Sequence, residues 1–230
     1  MKTLANNDVD RKSGFTLLEL VIAISIMAII AGAAVPLATM AINSKKARAT
    51  ASELDGLQLA ASEYFRDTAV LPTTIANMET APGGVSGWAG PYLQRFSIDP
   101  ISGLSQYSVD AWSNPFVLSS AGSVLTISSA ALGAVHGDAN DIAVTLDVTP
   151  IQREQTLDLI AILNRSILKY NETYVLSDPL PATHSSLLLK LVNRNYLPTT
   201  VGFEVDAWGD AFVADPPALV PVVRITSSNL

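Results

Sequence analysis

The stretch Arg11–Met40, RKSGFTLLELVIAISIMAIIAGAAVPLATM, decides how the rest of the chain is arranged. A basic pair, Arg11-Lys12, precedes Ser13-Gly14. From Leu20 through Ile42 no residue is charged, and only Ser25 and Thr39 carry polar side chains. At about 1.5 Å rise per residue this helix would span roughly 35 Å, enough to cross the ~30 Å hydrocarbon core of a bilayer. One carboxylate, Glu19, lies just inside its start. A carboxylate in an apolar helix is costly unless paired, so it marks a functional position. The apolar run exceeds the roughly 7–15-residue core of a signal peptide, and no small-x-small site closes it. The small residue suited to cleavage, Gly14, comes before the run.

The string Lys12-Ser13-Gly14-Phe15-Thr16-Leu17-Leu18-Glu19 resembles the processing site of type IV pilins and type II secretion pseudopilins. The resemblance implies a leader peptide of residues 1–14, cut by a prepilin peptidase between Gly14 and Phe15, with Phe15 then N-methylated. It also implies that Glu19 pairs with the terminal amine of a neighbouring subunit during filament assembly. Residues 15–42 would form the membrane helix, with the bulk of the chain on the periplasmic side of a bacterial inner membrane. Other pilin subunits and an inner-membrane assembly platform are the implied partners. The flanking charges do not settle orientation alone, since Lys45, Lys46 and Arg48 follow the apolar run as Arg11 and Lys12 precede it.

Of the 230 residues 49% are hydrophobic, and the formal net charge is −7. Beyond leader and membrane helix about 185 residues remain, enough for one large domain or two small ones. Cysteine is absent, so neither disulfide nor thiolate chemistry is available. An acidic chain with no basic cluster beyond Lys45-Lys46-Arg48 argues against nucleic acid as principal partner.

After Asn43 the composition turns polar but stays helical. Leu54, Leu57, Ala61, Tyr64 and Phe65 recur at three and four, which predicts one buried stripe on a helix continuing from Phe15 to about Thr68. Gly32 and Pro36 interrupt the apolar part, and a kink or local melting is expected between Ala31 and Pro36. Breakers such as Pro72, Pro82-Gly83-Gly84 and Gly90-Pro91 then predict turns with a short helical piece near residues 73–79. Strands are expected at 106–109, 115–118 and 123–128. Between the first two, Asp110-Ala111-Trp112-Ser113-Asn114-Pro115-Phe116 reads as a polar corner, with Asp110 and Asn114 bonded to backbone and Trp112 covering the sheet edge.

The corner recurs 96 residues later as Asp206-Ala207-Trp208-Gly209-Asp210-Ala211-Phe212. Tyr196-Leu197 echoes Tyr92-Leu93, and a strand at 221–225 again runs into Thr-Ser-Ser. A second amphipathic helix at 156–170, with Leu157, Ile160, Leu163, Ile167 and Leu168, stands where 52–65 stands in the first unit. The expected fold is α+β, with an internal duplication. A long membrane-spanning helix packs on a small antiparallel sheet head (15–148), followed by a second, similar head (149–230). Residues 11–142 resemble in particular the major pseudopilin of type II secretion. That family's turn usually reads Asp-Pro-Trp-Gly-Asn-Pro-Tyr, from which Ala111 and Ser113 depart.

One oxygen-rich cluster surrounds Asp138, Asn140 and Asp141. Its oxygens suit a hard cation, but an Asx-rich turn explains them equally. The resemblance makes Asp138 and Asp141 candidate calcium ligands. Only two histidines occur, His136 and His184, in different units, with no HExxH, no GxSxG elbow and no phosphate loop. No catalytic residue is assigned, and a structural rather than enzymatic role is expected. The sequence leaves open a type IV pilus or DNA-uptake minor pilin, which would share residues 11–42, and a membrane-tethered binding module or enzyme.

Overall fold

The computed structural model describes residues 16–93, 105–133, 135–215 and 221–230. Nine α-helices and strands follow in order among them: α1 (Leu17–Thr68), α2 (Ala76–Glu79), β1 (Val117–Ala121), β2 (Val124–Ser129), β3 (Ile142–Asp147), α3 (Thr149–Tyr174), α4 (His184–Asn193), β4 (Val213–Asp215) and β5 (Arg224–Thr226). Gly14 and Phe15 lie outside the described residues. The chain divides into two units, Met1–Ala49 and Thr50–Leu230.

In the first unit α1 is long and apolar enough to cross a membrane, and its most apolar window buries nothing within the chain itself. The two polar side chains between Leu20 and Ile42 are satisfied locally. Ser25 Oγ donates to the Val21 carbonyl at 2.7 Å, and Thr39 Oγ1 to the Val35 carbonyl at 3.0 Å. Such back-bonding is how hydroxyls survive in hydrocarbon. The local melting expected between Ala31 and Pro36 is not found. The helix remains α-helical through Gly32 and Pro36, because a proline costs one hydrogen bond while apolar neighbours on both sides favour helix.

The second unit contains two hydrophobic cores. In the first, Leu54, Leu57, Ala61, Tyr64 and Phe65 of α1 pack against Met78, Phe116, Leu125 and Ile127. All five residues of the predicted stripe are buried, and Gly56 does not break the helix. Strands β1, β2 and β3 form an antiparallel sheet in that order, with Leu118 opposite Ile127 and Ile127 opposite Val144. The strand predicted at 106–109 is instead a 3-10 turn, Gln106–Ser108, followed by a single bridge between Val109 and Pro115. Proline has no N–H with which to extend a ladder there.

The second core is built from α3, α4, β4 and β5. Leu163, Ile167 and Tyr170 pack on Leu187, Leu188, Leu191, Leu197, Phe212 and Ile225. Helix α3 begins directly after β3, with Pro150 in its first turn, where the missing N–H has no intrahelical partner to lose. Strand β4 pairs only with β5, antiparallel, with Ala214 opposite Ile225. Leu157 and Leu168, expected to face this core, are exposed. A sheet of two three-residue strands covers a narrower stripe of helix than the three-stranded sheet does.

Candidate assembly segment and the paired turns

The amino end of α1 closes as a capping box. Thr16 stands one residue before the helix, and its Oγ1 accepts from the Glu19 N–H at 3.2 Å. The Glu19 carboxylate reaches back to accept from the Thr16 N–H at 2.9 Å and the Thr16 hydroxyl at 3.0 Å, both on Oε2. A Thr-x-x-Glu spacing satisfies two otherwise orphaned amides reciprocally. Sequence reasoning singled out Glu19 only for its charge; the spacing from Thr16 was the signal for the cap. The box holds the carboxylate at the amino end of the apolar helix, four residues after Phe15 along the chain.

In the first head the turn is organised by Asp110, which is buried. Its Oδ1 accepts from the N–H groups of Trp112 and Asn114, each at 2.8 Å, and its Oδ2 accepts from Ser129 Oγ at 2.6 Å. The Asp110 N–H donates to the Asn114 carbonyl at 2.8 Å, and the Ala111 N–H to Thr50 Oγ1 of α1 at 3.2 Å. The second head repeats each contact. Asp206 Oδ1 accepts from the amides of Trp208 (3.0 Å) and Asp210 (2.9 Å), and Oδ2 from Ser227 Oγ (2.6 Å). The Asp206 N–H donates to the Asp210 carbonyl at 2.8 Å, and the Ala207 N–H to Thr156 Oγ1 of α3 at 3.1 Å. The fourth turn residue has φ of 67° at Ser113 and 90° at Gly209. Glycine takes that conformation freely, whereas serine adopts it at a cost. Burial raises the Asp206 carboxyl, but the bonds from Ser227, Asn229, Asp210 and Trp208 outweigh it and hold the group below its ordinary value.

Other pairs match as well. Tyr64 meets Tyr92 edge-on at 5.7 Å, and Tyr170 meets Tyr196 edge-on at 5.4 Å. On the helices, Gln58 Nε2 donates to the Thr145 carbonyl of β3 at 2.9 Å. The second head has no third strand among the described residues, and there Asn164 of α3 grips β5 itself. The Ile225 N–H donates to Asn164 Oδ1 at 2.7 Å, and Asn164 Nδ2 donates to the Ile225 carbonyl at 3.2 Å. The place opposite Ile127 that Val144 fills is thus filled opposite Ile225 by a carboxamide.

The heads are joined by Gln152 of α3. Its Oε1 accepts from Ser123 Oγ of the β1–β2 turn at 3.2 Å, and its Nε2 donates to the Ala207 carbonyl at 3.0 Å. Nearby, Gln155 Nε2 donates to the Arg66 carbonyl at 2.7 Å.

Asp138 and Asp141 share one turn before β3. Asn140 N–H donates to Asp138 Oδ1 at 2.7 Å and Gly137 N–H to Asp141 Oδ2 at 2.6 Å, while Asp141 Oδ1 is buried without a partner. Gly133 leaves room for Asp138, since a Cβ there would lie 2.0 Å from Asp138 Oδ2. Among the described residues no group of three or more His, Cys, Asp or Glu side chains could hold a metal ion.

The family model for the prokaryotic N-terminal methylation motif matches residues 10–35. These residues contain the capping box and the first turns of α1, and the chain is of the pilin-like, membrane-anchorable class that this motif defines. The type II secretion system core protein G of Xanthomonas campestris pv. campestris is 30% identical over 116 residues, covering 48% of this chain and 78% of that protein. The chain belongs to the family of that core protein. No solved structure matches it.

Proposed function

We propose that this chain is a structural subunit of a type II secretion pseudopilus or a related type IV filament. A prepilin peptidase cuts between Gly14 and Phe15 and methylates Phe15, and subunits assemble through α1 on an inner-membrane platform. The observation that carries this reading is the methylation motif opening directly into an apolar helix, with Glu19 in its first turn. In a lone subunit Oε2 of Glu19 is occupied by Thr16. In the filament the same carboxylate meets the Phe15 amine of a neighbour, a charge-assisted pair strengthened by its apolar surroundings. Lateral packing of α1 supplies the remaining contact.

In this reading residues 149–230 are a second copy of the head, supported by the matching networks at Asp110 and Asp206 and by the two separate cores. Asp138 and Asp141, with loop carbonyls, would hold calcium, whose charge would tie the turn before β3 to the first head.

Co-expression with a prepilin peptidase, followed by mass measurement of the amino terminus, tests the processing. An intact Met1, or a cut other than at Gly14–Phe15, refutes it. Two variants test the pairing. Glu19→Gln keeps the capping box, which accepts glutamine, but loses the charge; Glu19→Ala loses both. Both variants should be processed and inserted yet fail to enter filaments. Filaments of Glu19→Gln at wild-type abundance would show that the charge is not needed.

A further inference from the structure

The contacts of the two heads put α1 and α3 in one register. Thr50, Gln58 and Tyr64 of α1 correspond to Thr156, Asn164 and Tyr170 of α3, all at the same offset. The two helices also end at corresponding residues, Thr68 and Tyr174. Where the heads join, Arg66 in the last turn of α1 pairs with Glu154 near the start of α3, Nη1 to Oε2 at 2.9 Å. The closing turn of one head's helix thus meets the opening turns of the other's. Each head carries both surfaces, and the joint uses one of each.

Left over are the closing turn of α3 and the turn of α1 in register with Glu154. In that register Arg66 corresponds to Glu172, and Glu154 to Arg48. Both leftover residues are exposed, and among the described residues neither has an ion-pair partner. The charges are exchanged on both surfaces, so the leftover pair is again of opposite sign. The exchange also rejects the wrong pairings. The closing turn of α1 on the Arg48 turn would set arginine against arginine, and the closing turn of α3 on its own opening turns glutamate against glutamate.

Building on the filament reading, we infer that the closing turn of α3 in one copy docks on the Arg48 turn of α1 in a second copy. Glu172 meets Arg48 there as Arg66 meets Glu154 within the chain. A contact between two unlike surfaces does not close on itself, and it propagates along a filament. An exposed ion pair contributes little energy and acts through register and selection. Leu176, two residues beyond α3 and 96% exposed, supplies apolar area. The contact is weaker than the joint, because Gln155, which donates to the Arg66 carbonyl at 2.7 Å, is matched by Ala49.

The chain has no cysteine, so introduced thiols report alone. Full-length variants are expressed with a prepilin peptidase and an assembly platform, and sheared filaments are treated with a short bis-maleimide. Arg66→Cys with Glu154→Cys should crosslink within one chain and proves the reach of the reagent. Arg48→Cys with Glu172→Cys in one chain should give a ladder of dimers, trimers and longer species. The two single variants co-expressed should give dimers only, and each alone monomers. Arg48→Glu and Glu172→Arg should each lower filament yield about threefold, and the double variant should restore it. Filaments that form normally but give no 48–172 ladder overturn the contact and leave the filament reading standing. Dimers from either single variant alone, or no recovery in the charge-exchanged double variant, likewise overturn it. A wild-type chain that forms no filaments strikes both.

Discussion

Replacing Asp206 with alanine should unfold the second head selectively, and the size of the effect can be worked from its contacts. Four hydrogen bonds converge on the carboxylate, from the Trp208 and Asp210 amides and from Ser227 Oγ and Asn229 Nδ2. Asn229 is exposed and keeps a bond to Asp210 at 2.9 Å, and the serine hydroxyl can rotate, so these donors find other partners. The two turn amides do not. Each orphaned amide costs about 1–3 kcal/mol, so a loss of about 3–4 kcal/mol is expected. The charge adds a pH signature. A carboxyl held below its ordinary value contributes stability that is present above the unfolded pKa of about 3.9 and is lost as pH falls through the folded value. Asp206→Asn removes this acid-side loss. The assay is urea unfolding of the full chain in micelles, followed by tryptophan fluorescence. A background of Trp88→Phe and Trp112→Phe leaves Trp208 to report the second head, while Trp208→Phe leaves the first head's tryptophans. The Trp208 midpoint should fall sharply in Asp206→Ala and the other probe should barely move. Equal shifts in both, or a loss under about 0.5 kcal/mol, would refute the reasoning that two cores are anchored separately.

Asn164→Leu should destabilise the second head by about 1–3 kcal/mol, because the Ile225 N–H and carbonyl lose their partner; amide exchange at Ile225 should accelerate more than elsewhere in the head. Glu53 lies half-buried on α1, with Oε2 unpartnered. Burial first, and the Asp110 charge second, push its carboxyl up. Its contribution is therefore fully present below the unfolded pKa and lost as pH rises through the folded value. Glu53→Gln should raise the melting temperature of the first head at pH 7 and flatten its decline on the alkaline side of the carboxylate range. A lower melting temperature at pH 7 would count against that account.

The first head was the more legible part of the molecule. The three–four spacing from Leu54 to Phe65 fixed both the helix and its buried face, because a three-stranded sheet buries a stripe as wide as the pattern suggests. Asp110 and Asn114 announced a turn by residue type, and the repetition at Asp206 announced a second. What escaped notice depends on partners distant in sequence. Helix α4 carries Leu187, Leu188 and Leu191 at helical spacing, but its start lies just beyond Pro179 and Pro181, which read as loop. The Asn164 grip on Ile225 stands where, among the described residues, the second head has no third strand, and no local signal marks it. The Thr16–Glu19 box was written in the sequence in plain spacing, and was overshadowed by the charge of Glu19 itself.

That carboxamide grip has a consequence for how such heads can vary. Where the first head has a strand of six residues, the second has one side chain beside β5, and the edge at Ile225 stays closed. A head closed this way gives its neighbours no hydrogen-bonding template on the α3 side. Such heads can then be crowded at high local concentration without their sheets fusing, and a single asparagine keeps the edge shut.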